Sequence, residues 1–197
     1  MQMNNNLSLI DFIWSPPTSD KTMRLLRFIG LSLGGSLFIA LLAQVSLPFY
    51  PVPITGQTFA VFLVGLMLGR DKGTVAVLLY LCEGFAGLPV FANGVFGLAV
   101  LFGPTGGYLL GFIPAAFICG MMAEKGWDKQ HWKLAILFLV ANAAIYLPGL
   151  FQLGTLLGWE KPILEYGLYP FIYGDILKVL IITAFLPSCW KFLKKQK

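Results

Sequence analysis

Apolar segments long enough to enter a bilayer recur along this chain, and they constrain its fold more than any other feature. Six stand out, at 25–47, 54–68, 74–88, 106–123, 134–151 and 171–190. Only 12% of the residues are charged, against roughly 25% in soluble domains. We predict that the six segments cross a membrane as helices, because helices satisfy their own backbone in lipid. The second and third are short for the ~20 residues of a full crossing, so we expect them to pack against neighbours.

The distribution of basic residues tests that count. If the N-terminus is cytoplasmic, six crossings leave only Lys161 in the outer loops. The inner side then collects Lys21, Arg24, Arg27, Arg70, Lys72, Lys125, Lys129, Lys133, Lys191, Lys194, Lys195 and Lys197. This asymmetry follows the positive-inside rule. The sequence therefore predicts an all-α membrane protein, a compact bundle of six transmembrane helices with cytoplasmic N- and C-termini. The net charge of +5 reflects this bias and not a nucleic-acid partner.

The ends of the chain differ from its centre. We predict an N-terminal cytoplasmic tail at 1–23, a six-helix transmembrane substrate-binding domain at 24–193 and a basic C-terminal tail at 194–197. An apolar patch at 9–14 is compatible with a segment that lies flat on the inner leaflet, or with a disordered tail.

Asp175 and Lys178 stand inside the last apolar segment, in FIYGDILKVLIITAF. Ionisable groups at membrane depth are costly, so they generally face the protein interior and mark the path of a ligand or ion. Their i, i+3 spacing places both on one face of a helix, where they can neutralise each other or hold a polar guest. The alternative is a snorkelling lysine held by an aspartate. Glu83 is a third acid at this depth and either lines the cavity or reaches the interface.

The connection after the third segment, GLPVFANGVFGLAVLFGPTGG, is longer than a helix connection needs. Glycines permit tight backbone turns, so such a loop can fold over a cavity as a lid. Its apolar underside is predicted to consist of Phe91, Val95, Phe96 and Leu98. Asn93, which precedes Gly94, either serves a turn or contacts a ligand, and the spacing does not decide between these roles.

Two helices carry small residues at four-residue spacing, a pattern that lets membrane helices approach closely. The first contains Ser32, Ser36 and Ala40, with Gly30 and Gly34 on a neighbouring line. The fourth contains Gly103, Gly107, Gly111, Ala115 and Cys119. We expect one of these stripes to be internal and one external.

The sequence lacks the residues that several kinds of enzyme chemistry require. No GxxxxGK[ST] loop is present to hold ATP phosphates. The single histidine, His131, lies in a predicted cytoplasmic loop, so a serine–histidine protease or a metalloprotease has no residues to work with. We predict a non-enzymatic protein that has no metal site, no cofactor and no ATPase of its own.

Four motifs resemble those of the BioY family, the biotin-binding S-components of energy-coupling factor (ECF) transporters. They are VPITGQT at 52–58, LLYLCEGFAGLPVFANG at 78–94, GPTGGYLLGF at 103–112 and GDILK at 174–178. The resemblance spans about 27–186. It implies a multi-pass protein of the cell membrane that captures biotin from the outer side. It also implies a transmembrane coupling T-component and two ATPase subunits as partners, with ATP used by those subunits.

By this resemblance, Asp175 and Lys178 match the charged pair of the family's last helix and Asn93 matches a polar contact. The family motifs also assign Tyr108, Gln57 and Thr55 to the pocket. By analogy with the small-xxx-small pattern of S-components, Ser32, Ser36 and Ala40 are assigned to the surface that docks the T-component. Two positions depart from the family pattern. Tyr173 stands where a proline is expected before the GD, and Gly56 replaces a larger apolar residue, which is expected to loosen that turn.

Biotin carries a ureido ring with two N–H donors and one carbonyl acceptor, and an aliphatic tail that ends in a carboxylate. Asp175 can accept from a ureido N–H while Lys178 donates to the carbonyl. Alternatively, Lys178 neutralises the tail carboxylate, and the sequence does not choose between these arrangements. The rival functions are a proton-coupled secondary transporter of a small carboxylate, which would protonate Asp175 or Glu83, and a non-transporting membrane scaffold.

Overall fold

The computed structural model describes residues 8–14 and 20–196; of the predicted tails, residues 1–7, 15–19 and 197 lie outside it. The described residues form helices and one short antiparallel strand pair. The α-helices are α1 (Leu9–Ile13), α2 (Lys21–Ala43), α3 (Gln57–Leu68), α4 (Arg70–Phe85), α5 (Gly106–Glu124), α6 (His131–Leu157), α7 (Ile163–Gly167) and α8 (Tyr169–Gln196). The strands are β1 (Ser46–Leu47) and β2 (Ile54–Thr55). The predicted all-α class is confirmed.

Four helical stretches among the described residues are long and apolar enough to cross a membrane. They are Lys21–Ala43, Gly106–Glu124, His131–Leu157 and Ile163–Leu193. The other two predicted segments correspond to α3 and α4, of 12 and 16 residues. At 1.5 Å per residue α3 rises roughly 18 Å, well short of a ~30 Å hydrocarbon core.

The short helix α3 lies inside the bundle, with more than half of its side chains buried. Only Gly69, at φ +85°, separates α3 from α4. The turn is held by Glu124, whose Oε1 accepts a hydrogen bond from the Arg70 backbone N–H at 2.8 Å. A carboxylate at this position also complements the positive end of the α4 dipole.

The small-residue stripe of α5 is internal, as one of the two stripes was expected to be. Ala115 and Cys119 are fully buried. A Cβ on Gly111 would lie 2.7 Å from Ile145 Cα, and a Cβ on Gly65 of α3 would lie 2.8 Å from Cys119 Cβ. The absence of side chains at these two glycines therefore sets the close approach of α5 to both α6 and α3.

The stripe of α2 corrects a prediction. Ser32 and Ser36 are fully buried and Ala40 is half-buried, so they do not form an exposed docking surface. Ser32 Oγ donates to the Lys72 carbonyl oxygen at 3.2 Å, and Ser36 Oγ donates to Glu83 Oε2 at 2.6 Å. Four-residue spacing placed these residues on one face correctly, but that face packs against α4.

The neighbouring line on α2 is the external one. Gly30 and Gly34 are exposed, and a Cβ built at either position meets no atom within 4 Å. Exposed leucines flank these glycines, including Leu33 and Leu37. The open small-residue face of α2 therefore contains Gly30 and Gly34.

The apolar patch at 9–14 forms the short helix α1, which is anchored to the bundle. Leu9 is buried, and Asp11 forms salt bridges with Arg27 of α2 at 3.1 Å and Lys72 of α4 at 2.9 Å. Phe12 packs against Trp190 of α8, with ring centroids 5.1 Å apart. These contacts bring the basic ends of α2, α4 and α8 together at one end of the bundle.

Candidate substrate-binding site

A cavity of about 250 Å³ opens at the end of the bundle opposite α1. Its walls come from 52–58, from the loop at 91–105 and from α5, α6 and α8. The lining is mostly apolar. Its polar and aromatic members include Thr55, Gln57, Thr58, Asn93, Thr105, Tyr108, Tyr146, Phe171, Asp175 and Lys178. All six residues that the sequence assigned to substrate binding are among these lining residues.

Asp175 and Lys178 form an ion pair at the cavity wall. Lys178 Nζ lies 3.2 Å from Asp175 Oδ1 and donates to Thr58 Oγ1 at 2.7 Å. The Asp175 and Lys178 side chains are 10% and 16% exposed. An ammonium has three N–H donors and a carboxylate about four lone-pair directions. Both groups therefore keep hydrogen-bonding capacity for a guest.

Tyr146 is a site residue that the sequence analysis missed. Its Oη donates to Asp175 Oδ2 at 2.5 Å, so Asp175 is held from α6 as well as from its own helix. Thr58, the acceptor for Lys178, was also missed. Thr58 stands in the quoted VPITGQT motif, which could have identified it, whereas the sequence around Tyr146 carries no such signal.

Gln57 and Thr55 reach the cavity through the strand β2 and the first turn of α3. Thr55 Oγ1 donates to Gln57 Oε1 at 2.9 Å, and Gln57 Nε2 donates to Tyr80 Oη at 2.5 Å. Tyr80 in turn donates to the Val90 carbonyl oxygen at 3.2 Å. This buried chain of hydrogen bonds fixes the Gln57 amide and connects it to the loop.

Gly56, beside these residues, does not loosen its turn. A Cβ at position 56 would lie 2.6 Å from the Leu42 carbonyl oxygen. The missing side chain instead allows the 54–57 segment to approach the end of α2 closely.

Tyr108 contributes an aromatic wall. Its hydroxyl donates to the Gly167 carbonyl oxygen at 2.9 Å. Its ring lies 6.1 Å from that of Tyr146 and 6.5 Å from that of Phe171, measured between centroids. Because the hydroxyl is already engaged, Tyr108 contributes its aromatic ring to the cavity wall.

The loop after α4 covers the cavity. Phe91 is buried against Tyr80, with ring centroids 5.4 Å apart, and it occupies the space that a Gly84 side chain would need. Phe91 and Val95 line the cavity, as predicted for the apolar underside. That prediction is wrong for Phe96 and Leu98, which are exposed and do not line it.

Val100 takes the place predicted for those two side chains and lines the cavity. The change of face follows Gly97, whose φ of +93° turns the chain in a way that L side chains rarely allow.

Asn93 serves a turn, which is one of the two roles that its sequence position left open, and it also lines the cavity. Its φ of +58° places it in the left-handed region of a tight turn, and its side chain lines the cavity. Ser46 Oγ donates to its Oδ1 at 2.6 Å.

Glu83 is absent from the cavity lining and is engaged by Ser36 at the α2–α4 interface. Tyr173, which stands where the family pattern has a proline, points away from the cavity and is 83% exposed.

This arrangement suits binding more than catalysis. The apolar walls provide burial, and a small number of placed polar groups provide orientation, as in pockets for small molecules. The volume is slightly below the roughly 300–1,000 Å³ of pockets for drug-sized ligands, which indicates a compact solute. Among the described residues, no group of three or more His, Cys, Asp or Glu side chains is arranged to hold a metal ion.

Comparisons with known proteins identify relatives of this chain. The sequence profile of the BioY family matches residues 15–195. Biotin transporter BioY of Thermotoga maritima is 42% identical over 155 residues, which cover 79% of this chain and 90% of that protein. Biotin transporter BioY2 of Lactococcus lactis subsp. cremoris is 36% identical over 158 residues, covering 77% and 83%.

A similar fold is found in a solved structure. The crystal structure of the S-component for biotin from an ECF-type ABC transporter superposes with a TM-score of 0.73 at 26% sequence identity. The match covers 88% of this chain and 95% of that one.

Proposed function

The chain belongs to the BioY family, and on that premise we propose that it is the membrane-embedded biotin-binding subunit of a vitamin uptake transporter. In this role it captures biotin from the outer side of the cell membrane. It delivers the vitamin together with an ATP-driven coupling module, and it performs no catalysis itself.

The observation that carries the proposal is the charge pair at the wall of an apolar cavity. Asp175 and Lys178 offer an acceptor and a donor 3.2 Å apart. A ureido ring presents its N–H and carbonyl groups side by side in the complementary order. The aromatic surface of Tyr108 and Phe171 suits the apolar remainder of the bicycle.

We assign the ureido end of biotin to the charge pair. Asp175 and Lys178 together have a formal net charge of zero, and a neutral ureido group keeps that balance. If the tail carboxylate bound there, it would leave a net negative charge in a largely buried site, which is costly. It would also lie close to the Asp175 carboxylate.

Two analogues test this orientation. Biotin methyl ester should retain most of the affinity, whereas biotin methylated on a ureido nitrogen should lose roughly tenfold or more, because an N–H donor is removed inside the site. The reverse order of affinities would place the carboxylate at Lys178 instead.

The proposed topology has six crossings and cytoplasmic termini. Support comes from the basic residues at the α1 end of the bundle. Arg27 and Lys72 contact Asp11 there. The Arg70 backbone contacts Glu124, and Lys129 lies over the Trp190 ring. Under the positive-inside rule this end faces the cytoplasm, and the cavity at the opposite end opens outward. The substrate-binding domain at 24–193 would then hold the pocket between two short tails.

We propose a T-component and two ATPase subunits as partners, with docking on the open face of α2 around Gly30 and Gly34. This replaces the buried Ser32, Ser36 and Ala40 stripe. The small residues leave room for a partner helix to approach the α2 backbone. ATP would be consumed by the partner subunits, and biotin is the only small molecule that the chain itself needs to bind.

Equilibrium binding of biotin to the purified, detergent-solubilised chain tests the proposal. The wild type should bind tightly and saturably, and Lys178→Ala should not. A folded wild-type chain that does not bind biotin would contradict the proposal. Transport by the purified chain alone, driven by a proton gradient, would instead establish the rival secondary transporter.

A further inference from the structure

Residues 44–46, which we call the tether segment, follow α2 directly and lie outside the cavity lining. The tether segment nevertheless holds two parts of the chain that do line the cavity. The first is the 54–57 segment. The Val45 carbonyl oxygen accepts from the Gly56 N–H at 2.8 Å, and Ser46 pairs with Thr55 in the strand ladder.

The second part is the loop after α4 that covers the cavity. Gln44 holds the beginning of this loop. Its Nε2 lies within hydrogen-bond distance of the Val90 and Phe91 carbonyl oxygens, at 3.3 and 3.2 Å. Its Oε1 accepts from the Gly94 N–H at 3.1 Å. One side chain thus binds the turn on both sides of Asn93.

Asn93 itself is oriented by the tether segment. Ser46 Oγ engages its Oδ1, and among the described residues its Nδ2 has no acceptor. Because Asn93 lines the cavity, the engaged oxygen leaves the two N–H donors for a guest. The turn is also conformationally costly, because a left-handed φ is uncommon for a residue other than glycine and needs support from its surroundings.

We infer that Gln44 and Ser46 are positioning residues for biotin binding and that they act through Asn93. Gln44 fixes the backbone of the Asn93 turn, and Ser46 fixes the direction of its amide. Neither touches the ligand. This inference rests on the proposed function, because it assigns the Asn93 donors to biotin.

A double-mutant cycle tests the inference by measuring biotin affinity for wild type, Gln44→Ala, Asn93→Ala and the double variant. Loss of hydrogen bonds that orient a donor should weaken binding by roughly tenfold in Gln44→Ala. Asn93→Ala should weaken it at least as much. Since Gln44 acts through Asn93, the double variant should bind no more weakly than Asn93→Ala alone.

Ser46→Ala should behave in the same way, with a loss in the wild-type background that disappears in the Asn93→Ala background. Gln130→Ala is the matched control, because Gln130 is an exposed glutamine at the start of α6, near the opposite end of the bundle. It should leave the affinity unchanged.

The outcomes separate the inference from the proposed function. Losses that add in the double variant, or a Gln44→Ala protein with wild-type affinity, would overturn the inference while biotin binding by the wild type stands. A general loss of stability caused by Gln44→Ala would weaken binding by the same factor in the wild-type and in the Asn93→Ala backgrounds. The cycle therefore distinguishes such a loss from the positioning role. Absence of biotin binding by the wild type would overturn the proposed function and the inference with it.

Discussion

Tyr146 on α6 donates a hydrogen bond to Asp175 on α8, with Oη 2.5 Å from Oδ2. This contact joins two helices at the cavity wall, and it leaves the second carboxylate oxygen to Lys178. Asp175 is consequently fixed from two directions before any ligand arrives. A pre-positioned acceptor binds more tightly than a mobile one, because less ordering is required on binding.

Tyr146→Phe is therefore expected to weaken biotin binding. The variant keeps the ring and its packing against Tyr108 but removes the donor to Asp175. Hydrogen bonds to charged groups contribute about 1.5–3 kcal/mol, which corresponds to a loss of roughly tenfold to a hundredfold. Isothermal titration with biotin measures the effect. Tyr173→Phe, which changes an exposed tyrosine on α8, should show wild-type affinity, and equal losses in both variants would contradict the prediction.

Substitutions in the Asp175–Lys178 pair are expected to affect folding stability and biotin binding differently. Lys178→Met or Asp175→Asn alone removes one partner of a largely buried pair, which should lower the melting temperature. The double variant should melt at a higher temperature than the Lys178→Met protein, because it leaves no uncompensated charge. All three variants should lose biotin affinity by roughly a hundredfold or more, since buried charge-assisted contacts are lost. Restored binding in the double variant would show that the pair serves stability alone.

Some residues of the site could be predicted from the sequence and others could not, and the difference follows from their chemistry. Asp175 and Lys178 could be predicted because ionisable residues stand out in an apolar segment and their spacing fixes a common helix face. Tyr146 could not, since a tyrosine in a membrane helix is ordinary and its role depends on which part of α8 it meets. That contact is a property of the tertiary packing.

The two small-residue stripes illustrate the same limit. Four-residue spacing shows that Ser32, Ser36 and Ala40 share a face, but it does not show which neighbour covers that face. The hydrogen bond from Ser36 to Glu83 shows that the neighbour covering this face is α4.

The positions of α3 and α4 were predictable as short segments that pack against neighbours, whereas their lengths alone could not show that α3 lies at the centre of the bundle.

Glu83 is expected to be dispensable for binding. Glu83→Gln keeps an oxygen that can accept from Ser36 and changes no residue of the cavity lining. Biotin affinity should stay within about twofold of wild type, as for substitutions away from a site, while Asp175→Asn in the same assay should lose binding. Uptake in vesicles containing the complete transporter provides a second measurement. Loss of uptake in Glu83→Gln with biotin binding intact would favour the proton-coupled alternative.

The open face of α2 makes the docking proposal testable. Gly34→Trp places a large side chain where a Cβ now meets no atom within 4 Å, so the isolated chain should fold and bind biotin normally. The same side chain should prevent a partner helix from approaching the α2 backbone, and co-purification with the T-component and ATPases should be lost. Leu139→Trp is the control, because Leu139 is exposed on α6 and a tryptophan there changes a different surface. Retained assembly in Gly34→Trp, or lost assembly in Leu139→Trp, would contradict docking at Gly30 and Gly34.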